Sequence, residues 1–356
     1  MTGLIYAFLG YNTLMYSSKI FSDEVLSDSD CRNILDPNQF ELMDLVYDAY
    51  KIRKKHFGNK VRVHILDNVQ NGLCPEDCGY CGQAKTSDSD IVSYGIKEEE
   101  KILEGAQKAY ESGAHRYCMV MSGRGPSDRN IERMSSTIKE IKDKFNIKTC
   151  LSVGLLKEGQ ASKLKAAGLD RLNHNLNTSQ EFYPEICSSH TWEDRQNTLQ
   201  SARQAGIELC SGFIVGMGED NNDRIAMAKQ CAALEPESIP INFLLPIKGN
   251  RINKPQQLTP DTCVRLLCLF RYMNPKSEIR MAAGREYHLR SLQAMSLYVA
   301  NSLFAEGYLL SKGDTSSKTL QMIVDNGFEI ESDIELPLVQ HSESFAPLKK
   351  DIHVNH

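Results

Sequence analysis

The sequence predicts an α/β fold, a (β/α)8 TIM-type barrel with an N-terminal helical extension and a mobile C-terminal tail. Three observations carry that prediction. Eight short β-branched or apolar runs follow one another from residue 61, each but the last precedes a helical stretch, and no consecutive runs are linked as hairpins. Strands separated by helices pair in parallel, and eight of them close a barrel. An open doubly wound sheet is the competing topology, and both place ligands beyond the carboxyl ends of the strands.

The chain opens with an apolar stretch, Leu4 to Met15, interrupted by Gly10, Asn12 and Thr13. It is shorter than the roughly 20 residues that span a bilayer and lacks the positive flank of a secretory signal, so it reads as a frayed extension. Residues 22–57 hold two helical segments, the second marked by Leu42, Leu45, Val46 and Tyr50 at helical spacing. Strands are expected near 61–68, 115–122, 147–153, 171–176, 208–216, 238–246, 278–284 and 302–307, with seven helical stretches between them. From about 331 the periodicity fades, and His341, His353 and His356 in this polar tail read as bystanders. The organisation is therefore 1–57 extension and helices, 58–330 barrel, and 331–356 tail.

The 356 residues carry a formal charge of −5, with 41% hydrophobic and 24% charged residues. That balance excludes a basic nucleic-acid binder, and a core of this size needs no disulfide staples. Eleven cysteines without an export signal imply a reducing, cytoplasmic setting in which thiols are buried or metal-bound.

The densest chemistry follows the first strand. Cys74-Pro-Glu-Asp-Cys78-Gly-Tyr-Cys81 sets three thiols on one short loop. Structural zinc wants four closed ligands, and no second Cys-x-x-Cys or His-x-x-x-His knuckle exists in the chain. Three cysteines on a four-iron cluster leave one iron free to bind a substrate or cofactor. This Cys-x-x-x-Cys-x-x-Cys pattern resembles the radical S-adenosylmethionine enzymes. The resemblance implies a 4Fe-4S cluster on Cys74, Cys78 and Cys81, with S-adenosyl-L-methionine chelating the fourth iron and yielding a 5′-deoxyadenosyl radical. It also puts Tyr80 against the adenine.

Cys118, Cys150 and Cys210 lie inside the second, third and fifth runs. Taken singly, each reads as a small buried hydrophobe, but inward positions of a closed barrel converge on one layer, where three thiols could hold a second centre. Arg280 is a charge inside a predicted buried strand, so something must compensate it, and an anionic cluster is the expectation. Three strand cysteines plus a strand arginine resemble the biotin synthase family, as do Asn173-His174-Asn175-Leu176, the run from Cys210 to Glu219, Pro240-Ile241-Asn242 and the run from Arg280 to Glu286. The likeness extends from about residue 22 to 330. It implies a sacrificial 2Fe-2S cluster on Cys118, Cys150, Cys210 and Arg280, an assignment chemistry alone would not choose, because guanidinium stays protonated.

Asn173, Asn175 and Asn177 alternate along the fourth run and share a face, where amides need partners. By resemblance these amides contact the ribose of S-adenosylmethionine and the ureido ring of dethiobiotin, joined by Asn242; Asn177 stands where the family often has Asp. Arg195, at the start of the next helix, would pair with the methionyl carboxylate or else be a solvated helix arginine. Ile214 would lie beside the adenine, in a Gly-rich segment whose spacing is not that of a phosphate loop. His174 faces the other way and reads as a packed core histidine, and Cys31, Cys187, Cys231, Cys263 and Cys268 receive no role.

The resemblance further implies dethiobiotin as substrate, two S-adenosylmethionines per biotin, a flavodoxin or ferredoxin electron donor and a homodimer, with no nucleic acid or membrane involved. Two other readings stay open from sequence. One is another radical enzyme of the same branch, of hydrogenase-maturation or methylornithine type, which should not need the strand cysteines. The other is a non-catalytic iron-sulfur or zinc barrel protein.

Overall fold

The computed structural model describes residues 16–254, 258–306, 308 and 313–335. Helices α1 (Tyr16–Phe21), α2 (Asp28–Leu35) and α3 (Leu42–Phe57) come first. There follow β1 (Lys60–Gln70), α4 (Glu99–Glu111), β2 (Arg116–Met121), α5 (Asp128–Lys144), β3 (Lys148–Ser152), α6 (Gln160–Ala166), β4 (Arg171–Asn173), α7 (Tyr183–Ile186) and α8 (Trp192–Gln204). The second half holds β5 (Glu208–Cys210), β6 (Phe213–Val215), α9 (Asn221–Leu234), β7 (Ser238–Phe243), α10 (Pro260–Met273), β8 (Glu278–Met281), α11 (Arg285–Leu289), α12 (Gln293–Ser296), β9 (Ser302–Ala305), α13 (Ser316–Asp325) and β10 (Glu329–Ile330). Every ladder is parallel, and β9 returns to β1 from Arg62 opposite Ser302 to Ile65 opposite Ala305, so the predicted barrel is closed.

Four details differ from the sequence expectation. The fifth stave is broken at Ser211-Gly212 into β5 and β6, because Gly212 sits so close to the Pro240 carbonyl that a Cβ would lie 1.9 Å from its oxygen. The fourth strand ends at Asn173, and the chain rejoins the neighbouring stave at Asn177, φ 72°, whose N donates to Gly212 O at 3.1 Å and whose O accepts from Ile214 N at 2.8 Å. A short extra strand, β10, pairs with the start of β1 outside the barrel. Helical structure also begins at Tyr16, ahead of residue 22. The Leu4–Met15 stretch, most of the tail with its three histidines, and residue 307 of the last predicted strand lie outside the described residues. Among the described residues no helix is long and apolar enough to cross a membrane.

Strand alternation divides the barrel into two kinds of surface. Outward positions such as Tyr117, Met119, Leu151, Leu172, Leu209, Ile239, Ile241 and Leu303 are fully buried against the helices. Each such aliphatic side chain stabilises the fold by about 2 kcal/mol. Helix α10 is buried along almost its whole length because α2 and α3 cover the face turned from the barrel; Tyr272 donates to Leu45 O at 2.9 Å, and Arg265 to Phe40 O at 2.8 Å. Arg53 of α3 fastens this layer to the foot of the barrel through Ala300 O and Lys60 O. Inward positions of β1, β2, β4 and β8 instead include Arg62, His64, Arg116, Cys118, Arg171, Asn173, Glu278 and Arg280, so the interior is a site rather than a packed apolar plug.

Filling the Gly212 contact should break this arrangement. Gly212→Ala is expected to destabilise the anaerobically purified protein by about 3 kcal/mol or more in denaturant unfolding, since the obstacle is backbone and cannot swing aside.

Candidate functional site

A cavity of about 370 Å³ opens at the carboxyl ends of the strands, and alternate strand residues line it, among them Cys118, Cys150, Asn173 and Arg280. Cys118 and Cys150 are direct neighbours across the β2–β3 ladder. Cys210 stands beside Asn173, whose Nδ2 donates to its Sγ at 3.2 Å, and Arg280 Nη1 lies 3.6 Å from the same sulfur. The three strand thiols are buried and share one inward layer; none faces the surrounding helices. The hydrogen bond from Cys150 lowers the Cys118 pKa against the opposing effect of burial, with Arg280 and Arg116 assisting, and the same bond raises that of Cys150.

The charge of Arg280 is met by protein, which corrects the expectation that a cluster must compensate it. Glu278, two residues earlier and therefore on the same inward face, is fully buried and pairs directly with the Arg280 guanidinium. Its carboxylate also accepts from His64 Nε2 at 3.0 Å, Ser238 Oγ at 3.1 Å, Arg171 Nη1 at 3.2 Å and Arg62 Nη1 at 3.3 Å. Burial alone would raise the Glu278 pKa, but His64, Arg280 and Arg171 outweigh it and hold the group well below the usual carboxylate range. Burial and the nearby Arg280 push the His64 pKa far down, and its ring lies with Nε2 against Glu278 and Nδ1 4.0 Å from Cys118 Sγ.

The loop carrying Cys74, Cys78 and Cys81 follows β1, and all three thiols border the cavity. Its acidic residues mount it. Asp77 accepts from Ser188 N and Ser189 N, both at 3.0 Å, while Glu76 accepts from Ser189 Oγ at 2.6 Å, His190 Nδ1 at 2.5 Å and Arg124 Nη1 at 3.2 Å. Gly79 N completes the clamp with Ile186 O at 2.8 Å. This brings in Cys187, which sequence reasoning left without a role. Its Sγ lies 3.7 Å from Cys78 Sγ and 3.3 Å from His190 Nδ1, and the ligand atoms of Cys78, Cys187 and His190 fall within 4.8 Å of one another. The available signal was the spacing of Cys187 and His190 three residues apart, but nothing local tied that segment to the cysteine loop.

Arg195 sits in the first turn of α8, whose capping box joins Thr191 and Asp194. It is not a solvated helix arginine: Nε donates to Tyr183 Oη at 2.7 Å and Nη1 to Asn175 O at 2.8 Å, at the cavity wall. Asn173, Asn175 and Asn177 all line the cavity, although only the first is in a strand. Asn175 Oδ1 accepts from Gly212 N at 3.1 Å, and Asn177 Nδ2 donates to Tyr80 Oη at 2.6 Å. Ile214 borders the cavity from β6. Asn242 borders it too, but Nδ2 is engaged by Phe213 O at 3.1 Å and Oδ1 by Ala283 N at 3.2 Å, so this side chain ties strand ends together. His174 is buried as expected, yet it also borders the cavity and its Nε2 has no partner. The Gly-rich segment cannot cradle phosphate, because Glu219 already occupies Gly216 N at 2.9 Å and Met217 N at 2.8 Å.

The Radical SAM superfamily model matches residues 71–231, and the Biotin and Thiamin Synthesis associated domain matches residues 240–329. The biotin synthase of Acaryochloris marina is 50% identical over 315 residues, covering 88% of this chain and 91% of that protein. That of Leptospira biflexa is 52% identical over 304 residues, covering 85% and 86%. Among solved structures, methylornithine synthase superposes with a TM-score of 0.77 at 19% identity, over 89% of this chain and 97% of its own. The FeFe-hydrogenase maturase HydG from Carboxydothermus hydrogenoformans gives 0.75 at 19% identity, over 89% and 78%. At such identity the two structures speak for the fold alone.

The left-handed backbone at position 177 sets its tolerance. Asn177→Asp should leave stability within about 1 kcal/mol, the Tyr80 hydroxyl turning from acceptor to donor, whereas Asn177→Val should cost about 2–3 kcal/mol in thermal or denaturant unfolding.

Proposed function

The chain belongs to the biotin synthase family, a family of radical S-adenosylmethionine enzymes, and from that premise we propose how its own residues carry the conversion of dethiobiotin to biotin. The observation that carries the reading is the convergence on a single cavity of the three loop thiols with Cys118, Cys150 and Arg280, Cys210 lying buried 3.6 Å behind the Arg280 guanidinium. Soft thiolate sets of this kind suit iron-sulfur centres. Cys74, Cys78 and Cys81 would hold the 4Fe-4S cluster, and Cys118, Cys150, Cys210 and Arg280 the 2Fe-2S cluster. When bound, these groups supply an electron for cleaving S-adenosylmethionine and a sulfide for insertion. Such chemistry is needed because no side-chain base near neutral pKa can take a proton from an alkyl C–H.

The protein's share is binding, orientation and exclusion of water. Tyr80 and Ile214 offer apolar surface for the adenine, and Asn175 and Asn177 offer amide groups to ribose and ureido oxygens and nitrogens. Arg195, held by Tyr183 and the Asn175 carbonyl, supplies a fixed cation for the methionyl carboxylate. Asn242 acts here through backbone, holding the ends of β6 and β8 at the rim. The Glu76 and Asp77 clamp keeps the loop thiols in register with the strand thiols beneath. A flavodoxin or ferredoxin donor, a homodimeric assembly and a cytoplasmic, reducing setting belong to the same reading.

Cys118→Ala tests it. The purified, anaerobically reconstituted variant should retain the loop-bound iron and lose the auxiliary iron together with biotin formation; biotin made at the parent rate would remove the sulfide-donor role.

A further inference from the structure

Glu278 takes no part in binding or sulfur transfer as described, yet the barrel interior is arranged around it. It lies one layer beneath the strand thiols, and its carboxylate receives Arg280, Arg171, Arg62, His64 and Ser238. The orientation of Arg280 follows from these contacts. Its Nη2 is held by Glu278 and by Ser238 Oγ at 2.9 Å, and its Nε by Ser302 Oγ at 2.9 Å. A guanidinium is a rigid planar fork, so fixing Nε and Nη2 fixes the third nitrogen as well. That nitrogen, Nη1, is the one directed at Cys210, 3.6 Å from its sulfur.

We infer that Glu278 is a positioning residue for the auxiliary centre, holding Arg280 so that Nη1 faces the layer of Cys118, Cys150 and Cys210. The inference rests on the proposal that those four residues hold the second cluster. A neutral acceptor of the same shape could take similar hydrogen bonds, but it would leave Arg62, Arg171 and Arg280 packed together with no buried anion between them. Their mutual repulsion would then act on Arg280, which borders the cavity. Charge and shape are both required of this residue, and glutamate supplies both.

The test is Glu278→Gln, compared with the parent and with Arg171→Met, which removes another Glu278 partner without touching Arg280. Each protein is reconstituted anaerobically with isotopically enriched iron, and Mössbauer spectra count the two cluster types in the same sample. Losing a residue that orients a ligand typically weakens metal binding about 10-fold or more. Glu278→Gln should therefore keep the 4Fe-4S content of the parent and lose most of the 2Fe-2S content, with an altered spectrum for what remains, while Arg171→Met keeps both. A parent-like 2Fe-2S content and spectrum in Glu278→Gln would overturn the inference. So would joint loss of both clusters with a lowered melting temperature, which would make Glu278 a structural support only. Should the parent itself form a single cluster type, the underlying assignment of the four residues fails, a result distinct from failure of the Glu278 variant alone.

Discussion

Closing eight parallel strands into a barrel leaves each inward side chain one route to water, the mouth at the carboxyl ends. Most of the molecule's organisation follows from that constraint. The outward faces of the strands carry the apolar packing against the helices, and there the fold gets its stability. The inward faces are released from that duty and carry Arg62, His64, Arg116, Arg171, Glu278 and Arg280 at the foot, thiols above them, and amides near the mouth. The depth of a residue along its strand thus sets whether it serves charge balance, metal ligation or ligand recognition.

Magnitudes explain why the foot is built around one carboxylate. Removing an ion from water costs several kcal/mol even after the protein relaxes, and an opposite charge at about 3 Å returns about 5 kcal/mol at an effective dielectric near 20. Glu278, with three arginines in reach, is compensated several times over, whereas each arginine shares its counter-ion. Arg171 finds a second one in Glu208 at 2.8 Å, and Arg116 turns to the Thr149 carbonyl at 3.1 Å. After the hydrogen bond from Cys150, the positive potential of Arg280 and Arg116 favours thiolate at Cys118, and it would favour an anionic inorganic centre above it.

The loop thiols are placed by a different device. A loop after β1 has no ladder to hold it, so its two acidic residues are bonded to the segment 186–190, and His190 and Tyr183 in turn meet Arg195 on α8. The segment that receives the loop is thereby the segment that orients the arginine facing the cavity. Geometry at the mouth is a single hydrogen-bonded unit rather than a set of independent side chains, and Cys187 is buried at its centre.

Much of this was readable along the chain. Alternating strand and helix periods named the barrel, because those periods are properties of neighbouring residues. The spacing of Cys74, Cys78 and Cys81 marked a three-ligand loop for the same reason. Parity along a strand is also local, so the inward direction of Cys118, Cys150 and Cys210 followed once the strands were placed. Contacts between distant segments were not readable. The carboxylate that neutralises Arg280, the partnership of Cys187 with Cys78, and the use of Asn242 on backbone instead of ligand all depend on which strands and loops become neighbours. Even the break at Gly212 needed the Pro240 carbonyl from the next stave to explain it. Periodicity and spacing are written in one dimension; compensation of buried charge and competition for hydrogen-bond partners are decided only when the barrel closes.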